Sequence, residues 1–133
     1  MINVFQPSMG ARELELIQEV FNSNWIGKGE YVQRFEHMFA EGLGVDVRRF
    51  LSTTSCTEGI FLAAELFDFG PGDEIIVPAV SFVAVGSAVK ASGAELVLCD
   101  VDLRTLNTTA ESLAAKITPR TKAVILNHYG GWP

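Results

Sequence analysis

Apolar residues recur at helical spacing through the first part of the chain. Leu14, Ile17 and Phe21 fall on one stripe of residues 10–22, with Glu13, Glu15 and Glu19 mostly off it, which predicts an amphipathic helix. The break Trp25-Ile26-Gly27-Lys28-Gly29-Glu30 leads into a second helix carrying Val32, Phe35, Met38 and Phe39, ended by Gly42 and Gly44. After Asp46 the rhythm changes to short apolar runs alternating with helical patterns. Strands are predicted at 49–53, 74–77, 95–99 and 123–127, and helices at 55–67, 81–91 and 109–117. Thr108 with Glu111 reads as a capping box for the last of these helices.

Alternating strands and helices define an α/β chain: a mostly parallel sheet with helices on both faces. Residues 1–45 form an N-terminal helical segment, and 46–133 form the α/β part. Four parallel strands joined by right-handed crossovers would place a ligand at the strand carboxyl ends. Residues 54–57 and 78–82 both fall there. No repeat, low-complexity tract or linker interrupts the pattern.

Composition narrows the picture. A chain of 133 residues with 48% hydrophobic content can build one core. Net charge −6, with no basic stripe, excludes a nucleic-acid partner. No apolar run approaches the ~18–20 residues that span a bilayer, so no membrane segment is expected. Met1-Ile2-Asn3-Val4-Phe5-Gln6-Pro7 has neither a basic leader nor an apolar stretch, and Cys56 and Cys99 lack CxxC spacing. The expectation is a reduced, cytoplasmic protein.

The candidate chemistry lies at two adjoining pieces. Ser55-Cys56-Thr57-Glu58 opens a helix whose free N–H groups and positive dipole end suit a phosphate. Phe82, at the end of the next strand after Val77-Pro78-Ala79-Val80-Ser81, could cover a flat heteroaromatic ring held by that phosphate. Each piece has a plainer reading. Ser55-x-x-Glu58 is also a capping box, a carboxylate at Glu58 competes with an anion for the dipole, and Phe82 could be a core aromatic. Cys56 has no histidine near it in sequence, so no catalytic thiol is assigned. His37 and His128 are too far apart for a metal site, although His128-Tyr129-Gly130-Gly131 follows a strand and could line a pocket. Lys28, between glycines, could reach a substrate phosphate or a neighbouring subunit; Lys90, Lys116 and Lys122 read as solvated charges. Neither GxGxxG nor GxxxxGK[ST] is present.

The order of these pieces resembles the N-terminal part of the DegT-type nucleotide-sugar aminotransferases, pyridoxal 5'-phosphate (PLP) enzymes of fold type I. The resemblance is carried by Asn3-Val4-Phe5-Gln6-Pro7, Trp25-Ile26-Gly27-Lys28-Gly29, Phe35-Glu36 and Ser55-Cys56-Thr57. It continues through Gly70-Pro71-Gly72-Asp73-Glu74, Val77-Pro78, Ser81-Phe82-Val83-Ala84 and Asp100-Val101-Asp102, then Ile117-Thr118-Pro119-Arg120-Thr121-Lys122-Ala123 and His128-Tyr129-Gly130. It implies that Cys56 and Thr57 hold the PLP phosphate and that Phe82 stacks on the ring.

It further implies a truncated first part of the fold type I large domain. The small C-terminal domain, the acid that holds the pyridine nitrogen and the lysine that bonds the cofactor all fall outside the residues matched. No catalytic residue and no metal site is therefore assigned. The parent reaction would move an amino group, usually from glutamate, to a keto group of a nucleotide-linked sugar, in polysaccharide or secondary-metabolite biosynthesis. The parent enzyme would be a homodimer. An incomplete and inactive fragment is the expectation for this chain. A non-catalytic interaction partner and a PLP-dependent sugar dehydratase fragment stay open as alternatives. The apolar faces of residues 75–77 and 123–126 are expected to lack cover, leaving an open sheet edge that invites pairing.

Overall fold

The computed structural model describes residues 6–132, so the Asn3-Val4-Phe5 part of the N-terminal motif lies outside the described residues. The chain divides into two compact units, Met1–Ser52 and Thr53–Pro133.

The first unit is helical. Helix α1 (Ala11–Asn22) opens at Gly10, whose N–H donates to Glu13 Oε2 at 2.6 Å. Helix α2 (Glu30–Leu43) closes at Gly44, which adopts φ +67°, while the Val45 N–H returns to the Ala40 carbonyl at 3.0 Å. That closure requires a left-handed residue, which is why glycine stands there; Gly42 lies inside the helix. Phe35, Phe39 and Phe50 gather beside α2, with Phe39 and Phe50 stacked at 5.2 Å between centroids.

The strand expected at 49–53 does not form. Asp46 caps a single 3-10 turn, Val47–Arg49, by accepting the Arg48 N–H at 2.9 Å. Further on, the Ser52 N–H and hydroxyl both donate to Glu36 Oε1, at 3.1 and 2.9 Å. A carboxylate thus takes the donor that a neighbouring strand would have needed.

The second unit holds α3 (Cys56–Leu66), β1 (Glu74–Pro78), α4 (Val83–Ala91), β2 (Glu95–Cys99), α5 (Ala110–Ala114) and β3 (Thr121–Val124). Among the described residues the sheet has three strands, all parallel, in the order β2-β1-β3. Before β1, the Gly70-Pro71-Gly72-Asp73 turn is fixed by the Asp73 N–H on the Gly70 carbonyl at 3.1 Å and the Gly70 N–H on Asp73 Oδ2 at 3.0 Å. The β1–β3 register slips between Glu74 and Ile75, leaving Lys122 as the extra residue. Its ammonium reaches the Asp68 carbonyl at 2.6 Å and Asp73 Oδ2 at 3.1 Å.

Ile75, Val77, Val85, Val89 and Ala94 form the core, with Ile60, Phe69, Leu96, Ala123 and Ile125 packed around it. Alternation along β1 sends Ile75 and Val77 to the face covered by α3 and α4. Residues 75–77 do not lack cover: Ile75 and Ile76 are 0% exposed and Val77 is 2% exposed. Val124 and Leu126 do stay open to solvent.

Boundaries moved most at α4, α5 and β3. Helix α4 begins at Val83, with Phe82 as its cap residue. Helix α5 is shorter than 109–117, and its cap is Thr109, whose hydroxyl accepts the Ser112 N–H at 3.2 Å, in place of Thr108. Strand β3 ends at Val124, although the Ile125 N–H still reaches the Ile76 carbonyl at 3.0 Å.

Candidate functional site

Helix α3 leads directly into the turn that precedes β1, and Lys122 at the start of β3 is bonded to Asp68, just past the end of the helix. The C-terminal end of α3 is thus at the amino edge of the sheet. Its 11 residues run about 16 Å, close to the length of a five-residue strand. The start of α3 therefore lies level with the carboxyl ends of the strands. Phe82 also leaves the carboxyl end of β1 and opens α4. Both predicted pieces sit at that edge, where β1 is flanked by β2 on one side and β3 on the other. Open α/β sheets bind ligands at such a switch point.

At the start of α3, Ser55 caps the helix: its hydroxyl accepts the Glu58 N–H at 3.1 Å, and its carbonyl accepts the Gly59 N–H at 3.2 Å. The N–H groups of Cys56 and Thr57 have no acceptor among the described residues, and the Thr57 hydroxyl has no partner there either. Both residues are exposed. Glu58 does not point its charge into this cradle. Its carboxylate turns back to accept the Thr54 N–H at 2.8 Å and the Thr54 hydroxyl at 2.7 Å. Those bonds, the hydroxyl's first, hold the Glu58 carboxyl below its ordinary pKa. The conflict between Glu58 and an anion is thereby eased, because the carboxylate is committed to the residue before the cap.

Phe82 is not a core aromatic: it is 70% exposed. It lines a cavity of about 340 Å³ with Pro78, Ser81, Lys90, Leu96 and Leu98. Cys56 instead borders a larger cavity of about 680 Å³, between α3 and β3, with Gly59, Ile60, Lys122 and Ile125. Cys56 and Phe82 thus line two different cavities. Next to Phe82, the Ser81 hydroxyl oxygen is buried and has no partner among the described residues. Two free amides, a free hydroxyl and an exposed ring at one sheet edge fit a phosphorylated aromatic cofactor.

The lysines divide differently from the sequence reading. Lys28 does not hang free in its loop: its ammonium lies 3.0 and 2.9 Å from the two oxygens of Glu36, a carboxylate 8% exposed. Lys122 is engaged with Asp68 and Asp73, whereas Lys90 lies in the last turn of α4. Among the described residues, no group of three His, Cys, Asp or Glu could hold a metal, and no helix is long and apolar enough to cross a membrane.

Three roles were not visible in the sequence: Glu36 as the acceptor for Lys28 and Ser52, the orphaned Ser81 hydroxyl, and Asn107, whose side chain bonds Tyr129 and Trp132. The motif Phe35-Glu36 flagged the first position without its partners. Long-range side-chain bonds carry no periodic signal.

Residues 7–133 match the model of the DegT/DnrJ/EryC1/StrS aminotransferase family. The chain belongs to this family. It is 51% identical over all 133 residues to a dTDP-4-dehydro-2,3,6-trideoxy-D-glucose 4-aminotransferase of Saccharopolyspora spinosa, covering 34% of that protein. The structure superposes with TM-score 0.92 on the aminotransferase TlmJ from Streptoalloteichus hindustanus at 52% identity, over 98% of this chain and 35% of that one. It also matches the GDP-4-keto-6-deoxy-D-mannose-3-dehydratase of E. coli, solved with bound hydrated PLP, at TM-score 0.82 and 31% identity, over 95% of this chain and 34% of that one. The chain thus spans about a third of the length of these relatives. Its α/β fold is that of the first part of the family's enzymes, and PLP is the cofactor expected in the family.

Proposed function

We propose that the carboxyl edge of the second unit is the phosphate- and ring-binding part of a PLP-dependent sugar aminotransferase. The observation that carries this reading is the pair of unpaired amides at Cys56 and Thr57 beside a free Thr57 hydroxyl. These three donors would hold the phosphate, helped by the dipole of α3. The Phe82 ring, exposed at the start of α4, would cover one face of the pyridine. When bound, PLP supplies an electron sink for amino-group transfer. What the described residues contribute is anchoring and orientation.

The substrate we infer is a keto group on a nucleotide-linked sugar, with an amino acid, usually glutamate, as donor. The two aminotransferases named above, at 51% and 52% identity, favour this over the dehydratase at 31%. A cytoplasmic homodimer fits the two free cysteines and the exposed Leu14, Phe21 and Met38 on the helical unit.

Titration of the 133-residue chain with PLP, followed by ligand fluorescence, tests the site. Without a covalent bond to lysine, affinity in the millimolar range, roughly −4 kcal/mol, is expected. Thr57→Val and Phe82→Ala should each weaken it further. Unchanged affinity in both variants would sink the assignment. With glutamate and keto sugars added, this chain alone is expected to form no aminated sugar.

A further inference from the structure

Three segments leave the carboxyl edge of the sheet, one after each strand, and side-chain amides join them. The Asn127 amide donates to the Val80 carbonyl, at 3.4 Å, and so ties the segment after β3 to the segment after β1. Asn107, after β2, uses both ends of its amide on the segment after β3. Its carbonyl oxygen accepts the Tyr129 N–H at 2.8 Å, and its amino group donates to the Trp132 carbonyl at 2.9 Å.

An asparagine in a turn usually bonds its own backbone a residue or two away. Here that work is done by others. Asp102 Oδ1 accepts the N–H groups of Arg104 and Thr105, at 2.9 and 3.0 Å, and the Thr105 hydroxyl accepts the Asn107 N–H at 3.2 Å. Leu106 takes φ +58°, a left-handed conformation that leucine rarely adopts, just before Asn107. The turn is fixed by its own bonds, and the Asn107 side chain is left free to reach across. The segment it reaches carries Gly130 and Gly131 at φ +66° and +77°, with little stiffness of its own.

Between the two anchors stands His128. Its neighbours Asn127 and Tyr129 are both tied down, whereas its own imidazole is exposed and has no partner among the described residues. We propose that Asn107 is a positioning residue: by bridging from β2 to β3, the strands flanking β1, it fixes His128 at the carboxyl edge as a wall of the ligand site, with an imidazole N–H available to an oxygen of the ligand. This deepens the PLP reading above and rests on it.

Two measurements on the 133-residue chain test the bridge. Hydrogen exchange of the Tyr129 amide, read by NMR without ligand, should speed up about five- to tenfold in Asn107→Ala, as loss of one net hydrogen bond implies. Asn107→Asp keeps the acceptor for that amide and should stay near the parent rate. With PLP as the probe, Asn107→Ala and His128→Ala should each weaken binding about five- to tenfold, and the double variant should be no weaker than either single one. Parent-like Tyr129 exchange in Asn107→Ala overturns the proposal, as do losses of PLP affinity that simply add. If the parent chain fails to bind PLP while Tyr129 exchange responds as expected, the cofactor reading falls and the bridge stands.

Discussion

Among the described residues, Met1–Ser52 buries one apolar side chain, Ala40, and one carboxylate, Glu36, while Thr53–Pro133 buries Ile75, Ile76, Val77, Val85 and Val89. Both units show clear apolar periodicity in sequence. In the first, the stripe of Leu14, Ile17 and Phe21 stays exposed, and the tertiary contacts are aromatic and polar: Phe39 on Phe50, Tyr31 donating to Glu19, Lys28 and Ser52 on Glu36. In the second, a strand buried on both faces organises two helices around it. Periodicity shows which face a helix can bury, and only an opposing surface decides whether it does.

The comparison can be broken first at the sheet. Ile75→Ala removes a fully buried side chain from the centre of β1 and should cost about 2–5 kcal/mol in denaturant unfolding of the second unit. A loss under half a kcal/mol would show that the sheet is not the stabilising element. Next comes Gly29→Ala in the first unit. A Cβ there would lie 2.9 Å from Trp25 Cδ1, so the indole must move and give up its bond to the Lys28 carbonyl, at 3.0 Å. Overpacking of this kind costs about 1–3 kcal/mol, less where the ring yields toward solvent. In a Trp132→Phe background the Trp25 emission should shift; unchanged emission would contradict the contact.

Ser55→Ala, which removes the cap of α3, should cost about 1 kcal/mol and lower PLP affinity by fraying the phosphate cradle. Equal thermal midpoints for parent and variant would argue against it.

The smallest and most local effect sharpens the polar side of the comparison. The Lys28 ammonium first, then the Ser52 N–H and hydroxyl, lower the Glu36 pKa from its ordinary 4.5 to about 2. A depressed folded-state value means that the contribution of Glu36 is fully present above the ordinary value and is lost as pH falls from there toward about 2. Trp25 emission in the same Trp132→Phe background should therefore change across that acid window. Glu36→Gln should abolish the change and leave the second unit's unfolding untouched. A titration identical in parent and variant would remove Glu36 from the account.

The local shape of the candidate site is legible in the sequence. Ser55-Cys56-Thr57 announces a helix start by residue type alone, and Pro78 followed by Ser81-Phe82 marks a strand end turning into a helix. Residues 49–53 form no strand because their apolar run is short, and a short run does not by its spacing decide what accepts its hydrogen bonds. Glu36 was that acceptor, and it comes from 16 residues earlier in the chain.

What the sequence determined by itself was local: the helix stripes, the caps at Ser55 and Gly44, the Gly70–Asp73 turn and the strand at 74–77. Each follows from residues within a few positions of one another, where backbone preference and spacing act directly. Tertiary structure alone decided the strand order β2-β1-β3, the exposure of Phe82, and the reach of Asn107 to Tyr129 and Trp132. Such outcomes depend on which polar group meets which once distant segments are packed, and that competition leaves no period along the chain.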